Sequence, residues 1–64
     1  MTPAEFREAR QTLGLNQSQM AAMLGYNASS RISEVEAGRR PLPVEKLWLM
    51  QAYLGGWRHE EWPL

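Results

Sequence analysis

A chain of 64 residues with seven basic and seven acidic side chains has no formal net charge, so any surface that holds a polyanion must come from uneven placement rather than from a basic total. A fold of this size buries only ~60% of the surface exposed by the unfolded chain, which implies one small domain over residues 1–64 with a thin stability margin. Without cysteine, with His59 as the single histidine and with no apolar run near ~20 residues, the sequence argues against disulfides, a metal site, a cofactor and a membrane span.

The start, MTPAEFREAR, is charged and does not read as a signal peptide, so the expected location is the cytoplasm. Thr2 can cap a first helix, with Pro3 in its first turn and Glu5 completing a capping box. Phe6, Ala9 and Leu13 recur at helical spacing, and Gly14 ends the run. Asn16 caps a second helix with Met20, Ala21 and Leu24 on its inner stripe, closed by Gly25. A third helix carries Ile32, Val35 and Glu36 on one side and ends at Gly38, and RRPLP follows as a loop. A fourth starts near Pro43 and runs through Leu47, Met50 and Leu54 to Gly55 and Gly56. The tail WRHEEWPL leaves room for one more turn before Pro63. No segment alternates as a strand does. The expectation is an all-α, compact four- to five-helix bundle.

The second helix spans about nine residues and the third about ten, too short to be stable alone, so packing must hold them. Ala21 allows a close helix crossing, and Gly25 suits a left-handed turn residue. Short helix, tight glycine turn and short helix make a central helix-turn-helix.

LGLNQSQMAAMLGY followed by RISEVEAGRR resembles the helix-turn-helix family of lambda-like phage repressors, Cro proteins and similar (XRE-type) small bacterial regulators. The similarity spans about residues 5 to 56. It is carried by Arg10, the run Leu13 to Gln17, Ala21, Leu24, Gly25, Ile32, Glu36 and Gly38. One feature departs from the pattern. The family usually has one residue fewer between the turn glycine and the isoleucine than the stretch Tyr26 to Arg31 provides, which shifts the carry-over at positions 27 to 30.

The resemblance implies a structural ion pair between Arg10 and Glu36, phosphate contacts from Asn16 and Gln17, and backbone contacts from Arg39 and Arg40. Helical angles place Ser30 and Glu34 outward, flanked by Arg31, on the face that a recognition helix puts into the major groove. Ser29 and Ser30 permit close approach. Arg31 suits guanine or phosphate. Glu34 either accepts from a cytosine amino group or stays solvated, paired with Arg31. Trp48 is expected over the core. Leu49, Ala52 and Tyr53 form an apolar strip on the outer side of the fourth helix. With Trp57, Trp62 and the tail 55–64, this strip is where the resemblance implies a homodimer interface.

No nucleophile–base pair is visible, so no enzyme is expected. The combined expectation is a sequence-specific transcriptional regulator, a repressor in the phage or bacterial style, that binds double-stranded DNA at an inverted-repeat operator near the nucleoid. No small-molecule ligand is expected. The competing reading is a protein-interaction adaptor or antitoxin that keeps the fold with little or no DNA reading.

Overall fold

The computed structural model describes all 64 residues. Four helices follow in order, α1 (Pro3–Thr12), α2 (Gln17–Leu24), α3 (Ser29–Glu36) and α4 (Val44–Leu54), and there are no strands. A fifth helix does not form. The tail makes only a turn, with the Trp62 amide donating to the His59 carbonyl at 3.0 Å.

The capping box expected at Thr2 forms. The Thr2 hydroxyl accepts from the Glu5 amide at 3.1 Å and the Glu5 carboxylate accepts from the Thr2 amide at 2.7 Å. The Asn16 cap of α2 proves to be a box as well, in which Asn16 and Gln19 exchange the equivalent bonds at 2.7 and 2.9 Å. The hydrogen bonds from Thr2 hold the Glu5 carboxyl below the usual range, so it stays ionised beside the positive end of α1.

α2 and α3 are eight residues each, shorter than their sequence patterns suggest, and each depends on packing. The core they join centres on Phe6, Met20, Leu24, Ile32, Met50 and Tyr53, all at most 1% exposed. Leu15 and Met23, which belong to no obvious stripe, are buried with them. Gly25 lies at φ +80°, the left-handed backbone that closes α2. A methyl group there would stand 3.3 Å from Lys46 Nζ. Lys46 is in that place because its ammonium donates to the Leu24 carbonyl at 2.5 Å, capping the negative end of α2 from α4. It also lies 4.8 Å from the centre of the Tyr26 ring. The turn after α2 is thereby fastened to the fourth helix.

α4 presents a different face from the one its pattern suggests. Tyr53 is not on an outer strip: it is 1% exposed, and its hydroxyl donates to the Met23 carbonyl at 2.7 Å. That bond lets a polar side chain occupy the core, and burial raises its phenol pKa. Leu54 is left 43% exposed as a result. Trp48 does not cover the core either, and is 64% exposed. The aromatic cover comes from the tail. Trp57 stacks on Tyr53 with ring centres 5.6 Å apart, and Trp62 tilts against it at 5.0 Å. Arg58 closes over Trp62 at 4.4 Å and donates to the Tyr53 and Trp57 carbonyls.

One ion pair crosses the bundle. Arg10 Nε donates to Glu36 Oε2 at 2.6 Å and Nη2 to Oε1 at 3.3 Å, while Nη1 donates to the Leu15 carbonyl at 2.9 Å. Gln17 Nε2 adds a bond to Glu36 Oε1 at 3.3 Å. The two charged side chains are 12% and 8% exposed, so removing one leaves the other desolvated and unpaired. Glu36→Ala should therefore lower stability by about 3–5 kcal/mol, a large part of what a small domain possesses. Replacing both partners with apolar residues, Arg10→Met with Glu36→Leu, should recover most of that loss in thermal unfolding. Equal loss in the single and double variants would show that the pair contributes by attraction and not by avoiding an orphaned charge.

Candidate nucleic-acid interface

The turn between α2 and α3 decides which side chains lead the third helix. Gly25, Tyr26, Asn27 and Ala28 make it up, and Ala28 is the N-cap of α3. The six residues between Gly25 and Ile32 thus divide into three of the turn and the first three of α3: Ser29, Ser30 and Arg31. Ile32 and Val35 then fall inward, buried at 0% and 3%, while Ser29 and Ser30 are exposed.

The N-terminus of α3 is bare. Ala28 has no side chain that can accept, and the Ser29 and Ser30 amides have no acceptor in the protein. At α2 the capping box satisfies the Gln19 amide but leaves those of Gln17 and Ser18 free. Free amides at the positive end of a helix are anion donors. Asn16 keeps its own side chain in the capping box. The Gln17 side chain is turned toward Glu36, so its backbone N–H is the donor it offers outward.

Three arginines border α3. Arg39 is exposed and makes no ion pair, in the loop after Gly38. Arg31 and Arg40 both reach Glu34: Arg31 Nη1 lies 3.1 Å from Oε1, and Arg40 Nε lies 2.8 Å from Oε2. Foremost the Arg40 hydrogen bond, and then the neighbouring arginine charges, hold the Glu34 carboxyl below its usual range. The i,i+3 pair with Arg31 is legible from helical spacing. The Arg40 pair is not, because it forms only after the chain reverses at Gly38, where φ is +76°. The acidic tail residues Glu60 and Glu61 are exposed and pair with none of these arginines.

Tyr26, in the turn, is half-buried, and its hydroxyl has no hydrogen-bond partner. Burial raises its pKa. Its ring serves as the platform for Lys46, a role without any sequence-local signal.

A separate apolar surface lies on α4. Trp48, Leu49, Ala52 and Trp57 line an open groove with Leu24, bordered by Glu45 and Lys46. Leu49 is half-buried against the core, and Ala52 is also half-buried. Trp57 is 51% exposed. Trp62 is half-buried, turned in toward Tyr53 and outside the groove. No helix is long and apolar enough to cross a membrane.

A helix-turn-helix family model matches residues 6–56, which runs from the core phenylalanine of α1 to the glycine pair after α4. Neither the curated proteins nor the solved structures contain a match to the chain.

The uncapped start of α3 has a measurable consequence. An alanine N-cap is less stable than serine by about 0.5–2 kcal/mol. Ala28→Ser should raise the melting temperature by several degrees, at roughly 4–8 °C per kcal/mol for a domain of this size. An unchanged melting temperature would mean that the Ser29 and Ser30 amides already have partners in solution.

Proposed function

The chain belongs to the helix-turn-helix family and has a DNA-binding regulatory role; from that premise we infer that it is a repressor of the lambda-like and Cro type, bound as a homodimer to an inverted-repeat operator. The observation that carries the reading is the bare N-terminus of α3, with its short serines and free amides, flanked by Arg31, Arg39 and Arg40. α3 enters the major groove, and Ser29, Ser30, Arg31 and Glu34 face the base edges. The α2 N-terminus, through the Asn16 Nδ2 that the capping box leaves free and the Gln17 backbone amide, and the loop arginines Arg39 and Arg40 hold the phosphates. Repression needs occupancy of a promoter and no chemistry.

A neutral chain suffices because affinity depends on how many phosphates receive a cation or a donor. If Arg39 and Arg40 each hold one, changing both to Ala should weaken binding to all duplexes alike. The slope of log affinity against log salt should fall by about 1 for each phosphate that is no longer held. Unchanged affinity and slope would remove both residues from the interface.

One recognition helix reads too few base pairs for a genome. Two that are related by a two-fold axis meet the groove about 34 Å apart, or ~10 base pairs between half-site centres. The α4 groove of Trp48, Leu49, Ala52 and Trp57 supplies the apolar surface for that axis. Trp48 is the residue to change, because its exposure separates assembly from folding. Trp48→Glu should yield a monomer in sedimentation with unchanged helical content, and operator affinity should fall by orders of magnitude. A wild-type protein that is monomeric at operator-saturating concentration, or that footprints a single half-site, would sink the dimer. The alternative, an adaptor or antitoxin without DNA reading, predicts no salt-dependent binding to any duplex.

A further inference from the structure

Glu34 is the one carboxylate on the outward side of α3, since Glu36 is turned to Arg10. It stands amid the face that would meet DNA, where phosphates repel an anion. Its oxygens are not idle: Arg31 Nη1 donates to both, at 3.1 and 3.4 Å, and Arg40 Nε donates to Oε2 at 2.8 Å. The Arg31, Glu34 and Arg40 side chains are 41%, 28% and 39% exposed. All three can be reached from outside, yet two of the three arginines around α3 are committed to one carboxylate. Exposed pairs are weak, so these bonds can be exchanged for others.

An approaching duplex meets this arrangement in two ways. A phosphate that takes Arg31 or Arg40 must draw it from Glu34 and leave a less compensated carboxylate beside the backbone. A base edge with an exocyclic amino group, on cytosine or adenine, can donate to Glu34 and replace the departing arginine. Every base pair carries one such amino group, so only a register that sets cytosine or adenine, rather than guanine or thymine, opposite Glu34 restores what the phosphate removes.

We propose that Glu34 is a specificity-determining residue that acts through Arg31 and Arg40, suppressing binding to duplexes that offer no amino donor opposite it. It raises discrimination at the cost of affinity, by making wrong sequences worse. The ionised state this requires agrees with the lowered carboxyl pKa. The inference rests on the placement of α3 in the groove.

The test is Glu34→Gln, which keeps the shape and removes the charge. Titrate the wild type and the variant with a random-sequence duplex over a salt series, and with a duplex selected from a randomised pool by the wild type. Helical content is checked by circular dichroism. The random duplex should bind the variant about tenfold more tightly, with a salt slope steeper by ~1–2 as the freed arginines meet phosphates. The ratio of selected to random affinity should fall. In an Arg40→Gln background the gain should shrink. Unchanged or weaker random-duplex binding by Glu34→Gln would overturn the inference, and so would an undiminished gain without Arg40. A wild type that binds no duplex at all would overturn the DNA reading, and this inference with it.

Discussion

The position of α3 depends on the clamp between Arg10 and Glu36. One guanidinium holds a carbonyl of the turn after α1 and a carboxylate at the last residue of α3, and that carboxylate also takes a bond from Gln17 at the first residue of α2. Three helices and a turn therefore meet at one planar fork. An ion pair this sheltered adds little net stability over apolar packing, because desolvation offsets most of the attraction. Its effect is geometric. Arg10 has donors in fixed directions, so α3 can neither rotate about its axis nor slide without leaving a charge unpaired. Leucines in the same places would permit either movement at small cost.

That fixity matters because α3 is only eight residues long and has no N-cap side chain. It would not persist by itself. Its inner face is held by Ile32 and Val35 in the core, its C-terminal end by the clamp, and the turn before it by Lys46 reaching across from α4 to the Leu24 carbonyl. In the first turn the Ser29 and Ser30 amides have no acceptor in the protein. Stability is concentrated where the helix meets the bundle. The unsatisfied donors are concentrated at its exposed N-terminal end.

The charges follow the same division. Glu36 is structural and turned in, Glu5 caps α1, and Glu34 restrains two arginines. Glu60 and Glu61 in the tail pair with none of the arginines around α3 and offset part of that charge only in the total. Among the aromatic residues, Trp62 packs on Tyr53, Trp48 lines the open groove of α4, and Trp57 does both.

Local rules were enough for much of this. Capping residues at Thr2 and Asn16, glycines at the helix ends, and the stripes of Phe6, Ala9, Met20, Ala21, Leu24, Ile32 and Val35 act within a few residues, so the sequence by itself determined four helices and a helix-turn-helix. The outward side of α3 follows from the same periodicity. Tertiary structure decided the rest. Spacing on α4 cannot choose between Tyr53 and Leu54 as the core residue; a carbonyl at Met23, thirty positions away, chose the tyrosine by satisfying its hydroxyl. Helical spacing likewise pairs Glu34 with Arg31. Only the chain reversal at Gly38 brings Arg40 back to the same carboxylate, because a side chain's partners beyond one turn are set by where the backbone is folded and not by how far along it they lie.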